Sequence, residues 1–429
     1  MRLRSKTALN LLLFPVLGAV LLGGCSGASS SDESETSSNT EEIEFSWWGN
    51  DERHTYTMNA VDLFQLEEPD IQVSYRYGVW DGFEKRMRVW MASCDQSDVM
   101  QINYSWLSEY SADGDGFYDL YQLTDYIDLS SFSETALKFG EINGKLNAIP
   151  IAFNTSTLYY NQELFASYNL ELPETWDDFF TAAEVMREDG IYPLGMAQKQ
   201  LFLFLIAYYE QSTGKPFFSD EGQLLAEPTD IQYLLEFYER LIDEKVLQPV
   251  DQFSITKFAK GEFAGSMFWI SDADKYCATL TDAGATPVIG AYPTMAGESL
   301  TGWYMKPATM YAISNITPYP EAAAKLLNFL VNSTEMADYQ QTEKGVPVSS
   351  MAVQELESKG LLDGYGYEAN RKMLENENAM GIMIPIMENE DIIEAFKQDA
   401  DEYLYEQMSL EECAQRIYTD LQQIIEKLN

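Results

Sequence analysis

The chain has 429 residues, 46% of them apolar, and a formal net charge of −42. That length exceeds one typical domain and predicts two. So negative a field repels nucleic acid and anionic membrane surfaces, which excludes both as binding partners. It selects no ligand, because salt screens charges more than about 8–10 Å apart.

The first six residues, Met-Arg-Leu-Arg-Ser-Lys, are basic and free of acids. An apolar run from Leu9 to Leu22 follows, too short for a comfortable transmembrane helix. It ends in Leu22-Gly23-Gly24-Cys25, which resembles a bacterial lipobox. In such a box small residues fit the peptidase, and the Cys25 thiol receives a diacylglycerol. Residues 1–24 are therefore expected to be a signal peptide and Cys25 the lipidation site, with acyl chains such as palmitate. Ser26 to Glu42 holds Ser, Gly, Thr, Asn and acids. Such a segment cannot bury enough surface to fold. Residues 25–42 thus read as a disordered tether to a body starting near Ile43. No later stretch is long and apolar enough to span a bilayer. The body is expected on the extracellular face of a bacterial cell membrane, held there only by its lipid. Three further cysteines, Cys94, Cys277 and Cys413, are odd in number and lack Cys-x-x-Cys spacing. They read as small buried hydrophobes rather than a disulfide framework or a metal cluster.

In chain order, Ile43 to Trp48 predicts a strand, His54 to Leu66 a helix, and Ile71 to Tyr77 an alternating strand. Phe83 to Met91 predicts a helix and Val99 to Tyr104 a strand. This succession implies parallel βαβ units and an open α/β sheet. Glu141 to Phe153 reads as a hairpin turning at Asn143-Gly144. Thr157 to Tyr160 continues extended, and Trp176 to Lys245 is mainly helical. Phe263 to Ile270 and Met310 to Ser314 return to strand. A helix with Ala323, Leu326, Leu327 and Leu330 on one face comes next. The last helix opens on the capping box Ser409-Leu-Glu-Glu412. Strand segments early, midway and late imply two α/β lobes with several crossings. Open α/β sheets bind ligands beyond the carboxyl ends of their strands, here the cleft between lobes.

Four stretches carry a family resemblance. They are Phe45-Ser-Trp-Trp-Gly49, Asp98-Val-Met-Gln-Ile-Asn-Tyr-Ser-Trp106, Asn143 to Asn161, and Ala322 to Leu330 followed by Gly345-Val-Pro347. In this order the chain resembles the extracellular solute-binding proteins of ABC importers, in the carbohydrate-binding group that includes the maltose-binding protein. Ser97, where the family usually has Pro, and Cys94-Asp-Gln, in place of a small Gly-rich run, depart from the pattern. The resemblance implies a type II periplasmic-binding-protein-like fold, each lobe an α/β sheet flanked by helices. It places the N-terminal lobe at residues 43–153 plus about 308–344, and the C-terminal lobe at about 154–307 plus 345–429. It implies a carbohydrate ligand, permease subunits as partners, a monomer, and hinge closure near 153–157, 304–310 and 343–347.

A sugar presents apolar C–H faces and a rim of hydroxyls, so its site needs exposed rings and fixed polar groups. Trp90 and Trp176 fall in predicted helices and read as core. Trp48, Trp80, Trp106 and Trp269 fall at strand ends or turns and are the expected stacking rings, joined by Tyr104, Trp303 and Tyr304. Trp47 and Trp48 point to opposite faces of one strand, and Trp48 is taken as the cleft residue. Asn50, Asp51, Arg53, Asp81, Asn103, Asn154 and Asp272 are the expected hydroxyl partners. Arg53 fits a uronate carboxylate, two hydroxyls or an internal acid, the last being the default.

The single His, His54, leaves no multi-His metal site, and Asp113 to Asp119 lacks EF-hand spacing. No Walker A or dinucleotide glycine motif occurs. Neither catalysis, metal nor cofactor is expected. A surface glycosidase, or a sugar-sensing or adhesive lipoprotein, remains the alternative, with a peptide or polyamine as the other ligand class.

Overall fold

The structure, a computed structural model, describes residues 40–295 and 302–428. The expected leader, Cys25 and most of the tether lie outside the described residues. The described residues form one compact unit. No helix among the described residues is long and apolar enough to cross a membrane.

Strand β1 (Glu41–Trp48) begins two residues before the expected boundary. Glu41 and Glu42 pair with Ile71 and Gln72 of β2 (Ile71–Gly78), because a ladder is made by backbone and tolerates acids on an exposed end. Parallel β3 (Val99–Ile102) lies on the other side of β1. The hairpin β4 (Glu141–Ile142) and β5 (Lys145–Leu146) turns at Asn143 and Gly144, both at positive φ, as the Asn-Gly dipeptide requires. β6 (Ile149–Asn154) enters the large sheet, and β7 (Ser156–Asn161) belongs to a second. That second sheet runs β10-β7-β9-β8, with β8 at Tyr192–Met196, β9 at Phe263–Trp269 and β10 at Pro287–Ile289. The large sheet is completed by β11 (Tyr304–Ile313) and β12 (Gly381–Ile382), in the order β12-β11-β3-β1-β2 with β6 also on β11.

The fold is thus α/β with two main sheets flanked by helices, besides the β4-β5 hairpin, a two-lobed type II arrangement. β8 interrupts the stretch expected to be helical. It is short, carries Pro193 and lies at a sheet edge, where a missing N–H is harmless. β11 starts six residues earlier than its apolar pattern suggests, because its first half pairs with β6 and β12 rather than with the core strand β3.

The chain passes between sheets at Thr155. Its hydroxyl donates to the Tyr304 carbonyl at 2.6 Å, and its carbonyl accepts from Ile270 N–H at 3.0 Å. Three crossing segments therefore meet at one residue. A fourth, around Gly345 to Val348, is tied to β6 by Val348 N–H to Ile151 O at 3.1 Å.

Cys277 and Cys413 are buried as expected, but Cys94 is exposed, because it ends the helix Phe83–Ser93 in a left-handed turn at φ 55°.

Candidate ligand cleft

β1, β2 and β3 are parallel, so their carboxyl ends open on one side of the large sheet. Three tryptophans gather there. Trp48 ends β1, Trp80 sits in the turn after β2, and Trp106 lies in a short helix, Ser105–Tyr110, rather than in a strand end. The Trp80 and Trp106 rings stack at 5.9 Å and 13°, and Trp48 lies 5.0 Å and 5.4 Å from them. The cluster covers its own members: Trp106 is 1% exposed, Trp48 7% and Trp80 44%. Trp80 is therefore the ring that offers a face, and the other two support it from beneath. Pleat alternation places Trp48 opposite Trp47. Trp47 is fully buried and donates through Nε1 to His54 Nδ1 at 3.1 Å.

The second lobe treats its expected rings unequally. Trp303 is interred, parallel to Trp176 at 6.1 Å, with Nε1 donating to Pro293 O at 3.0 Å. It is a core residue and presents no face to a ligand. Local sequence puts it after a glycine turn, but the helices Trp176–Met186 and Gln198–Thr213 close over it. Tyr304 is half-buried, and its hydroxyl donates to Glu210 Oε2 at 2.6 Å. Burial raises the Glu210 carboxyl above the usual carboxylate range. Trp269 is half-buried with the Lys306 ammonium 5.0 Å from its ring centre. Tyr104 is half-buried too; burial first and Asp220 second push its hydroxyl up to about 12.

Several expected hydroxyl partners serve the backbone. Asn50 caps the helix Asp51–Glu67 by accepting from Arg53 N–H, and Asp51 lies exposed in its first turn. Asn103 Oδ1 accepts from the Ser105 N–H and hydroxyl, each at 3.1 Å. Asp81 is exposed in the turn beside Trp80. Asp272 precedes the helix Ala273–Asp282, and burial raises its carboxyl against the opposing pull of Lys275.

A cavity of 340 Å³ lies where the crossings meet. Arg53 and Asn154 both line it, so the fold unites two expected residues 101 positions apart in sequence. Asn154 Nδ2 donates to Ser271 Oγ at 3.1 Å, joining β6 to the segment after β9. Arg53 Nη2 donates to the Glu343 carbonyl, and Nε stands 3.9 Å from the Glu343 carboxylate. Arg53 thus meets an internal acid. Local sequence gave no sign of the other lining residues Lys306, Thr309, Lys344 and Asn370. They lie on crossing segments and a late helix, and only chain crossing brings them to Arg53.

A family profile described as bacterial extracellular solute-binding protein matches residues 50–337. Among solved structures, a periplasmic oligogalacturonide-binding protein from Yersinia enterocolitica is 30% identical, with TM-score 0.83 over 90% of this chain and 99% of that one. Its complex with saturated digalacturonic acid gives 29% identity and a TM-score of 0.72 over the same shares. A de novo designed cysteine esterase shares the fold at TM-score 0.87 and 29% identity, over 91% of this chain and 99% of that one. The melibiose/raffinose/stachyose-binding protein MelE of Bacillus subtilis is 29% identical over 251 residues, 55% of this chain and 56% of its own.

Proposed function

Because the chain belongs to the bacterial extracellular solute-binding proteins, we propose that it captures a carbohydrate, an oligosaccharide, between its two lobes and passes it to an ABC permease. The observation that carries the reading is Trp80. It is a 44% exposed ring packed on two buried tryptophans at the carboxyl ends of parallel strands. A pyranose face laid on that ring exchanges water for apolar contact, while polar groups of the second lobe meet its hydroxyls. Both named binding relatives take oligosaccharides, one acidic and one neutral.

The lobes divide at the crossings, with residues 43–153 plus about 308–344 in one and about 154–307 plus 345–429 in the other. Hinge rotation about Thr155, the start of β11 and the Glu343 to Pro347 segment closes them over the sugar. Specificity follows from closure, since a hydroxyl left unpaired in a dry cleft is costly. Cys25 carries the lipid that holds the protein at the extracellular face, and the protein works as a monomer without catalysis. Thermal-shift screening against a glycan panel, with small-angle scattering on the hits, tests the reading. A sugar at about 100 times its Kd adds roughly 2.7 kcal/mol of stability, and closure reduces the radius of gyration. No stabilising glycan, or products appearing on incubation, would sink it.

A further inference from the structure

The junction cavity is lined by three cations, Arg53, Lys306 and Lys344, and three acids, Asp274, Glu343 and Asp363, and Lys344 is the cation with no ion pair among the described residues. Arg53 sits in the first turn of the helix Asp51–Glu67, where the backbone already presents the positive end of its dipole. Lys344 lines the same cavity and is 6% exposed. Its ammonium donates to the Tyr311 hydroxyl at 2.7 Å and faces the Tyr311 and Tyr56 rings at 5.1 Å and 6.0 Å. Among the described residues it has no carboxylate partner, and its charged neighbour is a second cation, Arg53. A buried, unpaired cation beside a guanidinium and a helix N-terminus is costly by itself. An anion would relieve all three at once.

The unpartnered groups agree. Arg53 Nε, Thr309 Oγ1 and Asn370 Oδ1 are buried without a hydrogen-bond partner among the described residues, and all three residues line this cavity. A guanidinium N–H needs an acceptor and an amide oxygen needs a donor. A uronic acid offers both, a carboxylate and ring hydroxyls. The volume of 340 Å³ lies within the usual range for small-ligand sites, about 300–1,000 Å³. Glu343, the acid ion-paired with Arg53 among the described residues, holds it loosely: 3.9 Å to Nε, with its own side chain 40% exposed. It can yield to a ligand carboxylate. The other near cation, Lys306, is already paired with Glu388. Asp274, on the opposite wall, accepts from Gly366 N–H at 3.1 Å, at the start of the helix Gly364–Leu374.

We propose that this cavity is a subsite for a uronic-acid unit, with Arg53 donating to its carboxylate, Lys344 supplying buried positive charge behind, and Asn370 and Thr309 taking ring hydroxyls. The inference rests on sugar capture and names its class, an acidic oligosaccharide.

Calorimetric titration with saturated digalacturonic acid, its dimethyl ester and neutral galactobiose tests it. The acid should bind about 10- to 100-fold tighter than the other two, the range expected for a charge-assisted pair. Arg53→Gln should erase that margin, and Arg53→Lys should restore part of it. Lys344→Met should also shrink the margin, which gives a second reading should Arg53→Gln fold poorly. Equal affinities for the three sugars, or an acid preference untouched in the Arg53 and Lys344 variants, would overturn the subsite. So would failure of all three to bind, whereas sugar capture itself would then be decided by the wider glycan panel.

Discussion

The ammonium of Lys344 lies 2.7 Å from the hydroxyl of Tyr311, with both side chains buried and, among the described residues, no acid paired to either. Burial first and Arg53 second push the Lys344 ammonium down to about 7. A cation so placed titrates where most lysines stay charged, and this links the hinge region to pH.

The sign follows from proton counting. Between pH 7 and about 10.5 the unfolded chain holds the Lys344 proton and the folded chain does not. Folding stability therefore rises with pH across that window and carries the full burial penalty below it. Groups facing Lys344 are Arg53, His54 and Tyr56 on the first helix, Tyr311 on β11 and Glu343 on its own segment. Urea unfolding of the wild type and of Lys344→Met at pH 6.5 and 9 should show the difference moving in the wild type's favour at the higher pH. A constant difference would mean Lys344 keeps its charge throughout.

Binding of an acidic sugar should take up a proton at pH 8. The ligand carboxylate favours charged Lys344, so a largely neutral amine is protonated as the complex forms. Titrations in two buffers of different ionisation enthalpy should differ in observed heat, by a slope approaching one proton. The neutral sugar should show no such slope, and Lys344→Met should abolish it.

Trp80 and Trp106 should separate binding from stability. Trp80→Ala removes an exposed ring and should weaken sugar binding about tenfold or more, given stacking worth roughly 0.5–1.5 kcal/mol beyond area burial. It should cost the fold little. Trp106→Ala empties a 1% exposed site and should cost about 3–5 kcal/mol in thermal or urea unfolding. The reverse pattern would place the ligand elsewhere.

Gly345→Ala should injure the hinge. Gly345 has φ 98°, outside what L side chains adopt readily, and an added Cβ would meet Ala152 Cβ at 2.8 Å. Backbone strain of this kind costs about 1–3 kcal/mol. Its displacement of adjacent Lys344 should also reduce affinity for digalacturonic acid, measured by the same calorimetry.

Sequence alone determined the local elements, because hydrophobic period and turn chemistry act over a few residues. β1, the helix Asp51–Glu67, β2 and the Asn143-Gly144 turn all fall where period and turn residues put them. So does the place of Trp48, Trp80 and Trp106 near the carboxyl ends of the first strands. Tertiary structure alone decided which rings are bare. Trp48, Trp106 and Trp303 meet the same local criteria as Trp80, yet neighbours distant in sequence cover them. It alone decided the junction cavity as well. Arg53 meets Lys344 across 291 positions because a helix start and a late crossing segment pack on the same sheet. Charge and burial at such a meeting depend on chain crossing, and no local pattern encodes that.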